Sequence, residues 1–362
     1  MANELPLDGV RVLEIGGGIA AGYATRWMAG FGADVVRVEG PPGALTADEE
    51  VYLAAGKRRV DVHGHELREL ALAADVIVED GKPGAMAARG LAPRQLRKER
   101  PAVVVVSITP FGQTGPYADF EATNVVAFAM GGIMSLTGRP DRPPLTNAGS
   151  QAYYLGGLNG FGAAMAAYYG AVMQGEGDWV DVSLQECGAG MLELYGARTE
   201  CTDLGPGLRS GNHVSAVWGI YPTLDGFGGV CCLARQIPAF FRVVGDPELL
   251  EERFMDPMLR LENDDELQGR IYAWFLTKTK ADLLELGPKN KVPFGAVMTP
   301  GDLLKNGSLA ERRYFDEVPV PGDGVAQVPG RPFLGLPWRA GGLSRPAADT
   351  NAVLTDWLGV RS

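Results

Sequence analysis

Short apolar runs separated by stretches of helical texture fill the first third of the chain. Residues 10–15 (VRVLEI) are an apolar run that stops at three glycines, residues 20–30 read as a helix, and residues 33–39 (ADVVRVE) are a second run. This order predicts β-α-β with a glycine-rich first turn. Residues 75–79 (DVIVE) and 102–108 (AVVVVSI) predict two further strands, separated by helical or loop stretches at 67–74 and 93–99. Strands alternating with helices predict a parallel sheet covered on both faces.

The texture changes after Gly115-Pro116. Residues 125–136 and 155–172 are apolar and rich in Gly, Ala and aromatics, which predicts tightly packed, buried helices; a strand at 179–183 and a helix at 184–195 follow. The stretch from Cys201 to Ser210 reads as a Gly/Pro linker. Beyond it, residues 217–233 are strand-like with glycine turns, and 237–244 and 264–275 are amphipathic helices. The fold class expected is therefore α/β: a Rossmann-like large domain with a parallel sheet, plus a smaller α+β domain. The expected boundaries are 1–200 for the first part of the large domain, 217–310 for the small one, and 318–362 for a return to the large one through a Pro/Gly-rich tail and a last helix at 350–358.

Composition narrows the function classes. The chain has 362 residues, 46% of them hydrophobic and 21% charged, with a net charge of -11. An acidic protein of this kind lacks the broad basic surface that nucleic acid or an anionic membrane requires. An anionic ligand would need a local site of backbone N–H groups and a few Arg or Lys. The cysteines (Cys187, Cys201, Cys231, Cys232) show no C-x-x-C spacing and there are only three histidines, so neither a metal site nor a disulfide framework is expected. The N-terminus lacks a basic, then apolar, leader, and no apolar run approaches the ~18 residues of a membrane span, so a cytoplasmic location is expected.

Gly16, Gly18 and Ala21 satisfy G-x-G-x-x-A after the first strand, and Glu39 ends the second. That pattern occurs in dinucleotide sites, but any Rossmann-like fold needs a tight glycine turn here, so it does not by itself select a nicotinamide cofactor. Lys57 and Arg58 could hold a phosphate or form a solvated basic turn. Tyr153 and Tyr154 read as packing residues, and Cys187 has no histidine near it in sequence to make a thiolate.

Several ordered segments resemble the family III coenzyme A transferases, the group of formyl-CoA, carnitine-CoA and succinyl-CoA transferases and α-methylacyl-CoA racemase. They are LPLDGVRVLEIG and GFGADVVRVEGPPG near the start, LAAGKRRVDV at 53–62, ADVIVEDGKPGAMAARGL at 74–91, VVVVSITPFGQTGPYAD at 103–119, VDVSLQE at 180–186 and VPFGAVMTPGDLL at 292–304. The resemblance implies the two-domain build above, an interlocked dimer, either a homodimer or a heteromer with a homologous subunit, and acyl-CoA and a carboxylic acid as substrates with no permanently bound cofactor. It implies a carboxylate nucleophile that takes the acyl group as a mixed anhydride and then the CoA as an enzyme thioester. The family's aspartate falls on Glu186, one methylene longer. CoA is expected across the first βα turn at Gly16, Gly17, Gly18, Ile19 and Ala20, with its phosphates near Lys57, Arg58 and Arg89.

The chain departs from the family pattern in places. Where the family reads "ENF", this chain reads Glu79, Asp80, Gly81, and Ala88 stands where an Arg is usual. The racemase branch needs two bases, but its positions fall near Thr123 and Gln151. Two other readings follow from these departures: a non-catalytic subunit of a heteromeric transferase, and a repurposed acyl-CoA isomerase- or racemase-like enzyme.

Overall fold

The computed structural model describes residues 5–41, 44–192, 195, 199, 209–322 and 324–360. They fall into two compact units, one of residues 1–134, 146–205 and 307–362, the other of 135–145 and 206–306. The expected linker from Cys201 lies outside the described residues as far as position 208.

The larger unit is built on six strands, β1 (Arg11–Ile15), β2 (Asp34–Val38), β3 (Arg58–Val60), β4 (Val76–Glu79), β5 (Val104–Thr109) and β6 (Trp179–Ser183). They pair in the order β3-β2-β1-β4-β5-β6, every pair parallel. This is the doubly wound arrangement expected from the apolar runs, and the strand order reverses between β1 and β4. Helices α1 (Ile19–Gly30), α2 (Ala47–Ala54), α3 (Gly64–Ala73), α4 (Ala85–Ala88), α5 (Pro93–Glu99), α6 (Asn124–Met130), α7 (Gln151–Gln174) and α8 (Leu184–Ala189) connect and cover the sheet.

Alternation along the strands divides the core. Val12, Val35, Val76, Val78, Val104 and Val106 pack with α1 and α7 on one face. Leu13, Ile15, Val36, Ile77 and Val105 pack with α3 and the last helix, Thr350–Leu358, on the other. The C-terminal segment is bound to the sheet edge. Asp349 accepts the Arg59 N–H at 2.8 Å, and Trp357 Nε1 donates to Asp34 at 2.8 Å.

Three expectations change. The region read as one helix over 125–136 is α6 followed by a 3-10 turn, Ile133–Leu136. The long helix α7 is buried only on its glycine side, and Tyr169, Val172 and Met173 are exposed. Before the Pro/Gly tail the chain forms an antiparallel hairpin, Phe315–Val320 with Gly324–Pro329.

The smaller unit carries an antiparallel sheet of four strands, His213–Ser215, Trp218–Thr223, Gly226–Cys231 and Phe294–Ala296. Its core gathers Tyr221, Phe240, Phe241, Phe254 and Phe275, several of them on the amphipathic helices Ile237–Val244 and Asp264–Phe275. Among the described residues no helix is long and apolar enough to cross a membrane.

Candidate active site

In an open α/β sheet, ligands sit beyond the carboxyl ends of the strands where the order reverses. A cavity of about 490 Å³ lies there in the larger unit. Gly18, Ile19 and Ala20 after β1, the 80–83 turn after β4, Ile108 and Pro110 at the end of β5, and Leu184 after β6 line it, with Asp119, Phe120, Glu121 and Tyr153 closing the rim.

The glycine turn that opens α1 is filled by a side chain. Asp80 accepts the Gly18 N–H at 3.2 Å and the Ala21 N–H at 3.1 Å. The helix has no cap from its own N-cap residue, so Asp80, 62 positions later in the chain, satisfies these donors. The fit is close: a Cβ on Gly16 or on Gly18 would sit 2.3 Å from an Asp80 carboxylate oxygen. Burial pushes the Asp80 carboxyl up to about 6, against the pull of the two N–H groups.

The neighbouring Glu79 points to the other face of the sheet and is only 3% exposed. It accepts the Gly81 N–H at 2.8 Å, which fixes the turn carrying Asp80 and Lys82. Burial pushes its carboxyl up to about 7, opposed by bonds from Ser107 and Gly81. On the rim, Lys82 is hydrogen-bonded to Glu121, and the Tyr153 hydroxyl donates to the Ala122 carbonyl at 3.1 Å.

Glu186 stands on the first turn of α8, exposed, with its N–H bonded to Ser183 Oγ at 3.3 Å. It lines a shallower depression with Leu155, Asp181, Cys187 and Met191 rather than the cavity. A third depression shares Leu184 with the cavity, and Leu155 and Met191 with the Glu186 surface. Cys187 beside it is pushed up to about 11 by burial and by Glu186, so it stays a thiol.

Of the expected CoA-binding residues, Gly18, Ile19 and Ala20 line the cavity. Gly16 packs on Asp80 and Gly17 on Gly40. The expectation for Lys57 needs correcting: it is fully buried, and its ammonium donates to Glu14 Oε2 at 2.7 Å, the Gly22 carbonyl at 2.8 Å and Thr25 Oγ1 at 2.7 Å. Arg58 is held by Asp34 at 2.5 Å and Asp356 at 2.6 Å, at the sheet edge. Among the described residues, the exposed Arg89 side chain makes no hydrogen bond or ion pair. The racemase positions hold Thr123, which precedes α6, and Gln151, which opens α7; neither is a base.

A parallel sheet in this order with its cavity at the switch point is a class of fold that serves many chemistries. Within that class, the chain belongs to CoA-transferase family III, whose model matches residues 7–347. It is 32% identical over 338 residues to a succinate–glutarate CoA-transferase of Agrobacterium fabrum, covering 85% of this chain and 84% of that one. It is 29% identical over 364 residues to a formyl-CoA:oxalate CoA-transferase of Streptomyces avermitilis, covering 90% and 88%. A CAIB/BAIF family protein from Brucella suis has the same fold, with a TM-score of 0.86 at 24% identity over 98% of this chain and 100% of that one.

Proposed function

We propose that this protein transfers CoA between carboxylic acids with Glu186 as the nucleophile. The observation that carries the reading is an exposed carboxylate on the first turn of α8, just beyond β6, in the VDVSLQE segment that resembles the family's motif. The Glu186 carboxylate adds to the thioester carbonyl, and the C–S bond breaks to release CoA thiolate and leave a mixed anhydride. The thiolate attacks the glutamyl carbonyl, expels the first acid as its carboxylate and leaves a glutamyl-CoA thioester. The acceptor carboxylate then attacks that thioester, and the returning thiolate takes the new acyl group and restores Glu186. Every step is a nucleophile exchanged for a leaving group, so no redox partner is needed.

The lining shared through Leu184 and Leu155 supports a continuous path from Ile19 and Ala20 to Glu186 for the flexible arm of CoA. Arg89 supplies a free cation for a CoA phosphate. The apolar, exposed side of α7 supports pairing with a second copy or a homologous subunit. A relative named succinyl-CoA–L-malate CoA-transferase beta subunit, from Chloroflexus aurantiacus and 28% identical over 312 residues, keeps the heteromeric reading open for this chain.

The test is steady-state transfer by purified protein. Glu186→Gln should abolish it, since an amide neither attacks nor leaves in this sequence. Glu186→Asp reports whether the surroundings fit the longer side chain, and a loss of at least tenfold is expected because reacting groups are held to about half an ångström. Transfer by Glu186→Gln at the wild-type rate would overturn the reading.

A further inference from the structure

A second cavity, of about 250 Å³, lies on the face of the sheet to which Glu79 points, and it shares no lining residue with the cavity at the glycine turn. Its polar groups have no part in the transfer steps. Glu79 and Ser107, both buried, line it from β4 and β5. Ser107 Oγ accepts the Trp179 Nε1–H at 3.0 Å and bonds to the Glu79 carboxyl, whose Oε2 also accepts the Gly81 N–H at 2.8 Å. Gln113 is fixed by its backbone N–H, which donates to Asp181 at 2.8 Å, but its buried side-chain Nε2 meets no acceptor among the described residues. Arg94, an exposed residue of α5, lines the same cavity and makes no hydrogen bond or ion pair among the described residues. Met86 and the Trp179 ring supply apolar wall.

We infer that this cavity is a binding site for a free short-chain monocarboxylate, held at its anionic end by Arg94 and the Gln113 amide, with its alkyl part against Met86 and the Trp179 ring. The inference does not depend on which residue is the nucleophile. An unpaired cation and an unmet buried donor call for an anionic acceptor. The volume and the apolar walls suit a chain of a few carbons. A second carboxylate on the ligand would face the acidic side of the cavity, where Glu79 has Asp80 and Asp181 as its charged neighbours; α4 adds no charge there. Glu79 also sets the pH at which the site works. Burial holds its carboxyl protonated up to about 7, and in that form it is a third donor to the ligand. Once ionised it repels the ligand. Binding is therefore linked to uptake of a proton at Glu79.

The experiment is calorimetric titration of the whole protein with sodium butanoate at pH 6 and pH 8, in buffers of different ionisation enthalpy. A ligand of this size should bind at pH 6 with a Kd on the order of 1 mM. Affinity should fall about tenfold by pH 8, because a group titrating near 7 passes from mostly protonated to mostly ionised over that range, and the buffer dependence should show protons taken up at pH 8. Arg94→Ala, an exposed position that does not threaten folding, should weaken binding at least tenfold at both pH values. Glu79→Gln keeps an N–H donor and cannot ionise, so it should bind about as well as wild type at pH 6 and equally well at pH 8. Glu186→Gln should leave binding unchanged. No binding at pH 6, wild-type affinity in Arg94→Ala, the same affinity for the wild-type protein at both pH values, or loss of binding in Glu186→Gln, which would place the carboxylate at the transfer site, would each overturn the inference.

Discussion

Lys57 decides between a ligand-binding and a structural role for the basic segment after α2, and its removal gives a calculable effect. Lys57 and Glu14 have fully buried side chains 2.7 Å apart, and Arg37 Nε lies 3.6 Å from the other Glu14 oxygen. Burial disfavours the Glu14 charge, but Lys57 and Arg37 together hold its carboxyl below the usual range. Lys57→Met keeps the aliphatic stem and deletes the ammonium. Glu14 then keeps Thr25 at 2.6 Å and the more distant Arg37, and loses its closest charge partner. Breaking a buried pair from one side costs about 3–5 kcal/mol, which corresponds to a fall in Tm on the order of 10 °C for a unit of this size. Urea unfolding followed by circular dichroism measures it. The double variant Glu14→Gln/Lys57→Met should recover at least half the loss, because the uncompensated charge is gone. CoA affinity of the folded protein should stay within about twofold of wild type. A single-variant loss under about 1 kcal/mol, or weakened CoA binding at unchanged stability, would refute the structural assignment and return Lys57 to the ligand.

Further outcomes follow from the same contacts. Glu79 titrates near 7 in the folded protein against 4.5 unfolded, so its contribution is best below 4.5 and declines as pH rises to 7. Glu79→Gln should therefore match wild type at about pH 4 and exceed it by up to about 3 kcal/mol at pH 8, and equal stability differences at both pH values would contradict this. In α7, an added Cβ at Gly157 would meet the Ala20 carbonyl at 2.6 Å, whereas Gly162 has open space. Gly157→Ala should cost about 1–3 kcal/mol, and Gly162→Ala should gain about 0.5–1 kcal/mol, both read from thermal melts. Arg89→Ala should weaken CoA binding several-fold in low salt and less in high salt. Arg58→Ala, at an already paired position, should leave it unchanged by calorimetry.

The sheet was legible because β1, β2, β4, β5 and β6 are apolar runs with few rivals. Strand β3 was not: three residues, two of them arginine, carry no hydrophobic signal, and the strand exists because Arg59 finds Glu39 at 2.7 Å and Arg58 finds Asp34. The same segment hid Lys57, since a run of basic residues reads as solvated until Glu14 is seen beneath it. The hairpin at 315–329, FDEVPV paired with GVAQVP, shows no clean alternation of polar and apolar residues and was hidden by the Pro/Gly texture around it. At the site, the glycine turn and the carboxylate after VDVSLQ were plain in the sequence. Asp80 stood out only as a departure from the family pattern. Its role depends on a contact 62 residues away, which periodicity cannot report.

The central claim is that Glu186 bonds covalently to CoA. Incubating the protein with butanoyl-CoA in the absence of acceptor acid, followed by intact-protein mass spectrometry, tests it directly. The account predicts a mass increase equal to CoA less one water, located on the peptide containing Glu186, converted to a hydroxamate by hydroxylamine and absent from Glu186→Gln. Transfer activity with no such adduct, or an adduct of the same mass that persists in Glu186→Gln, would contradict it.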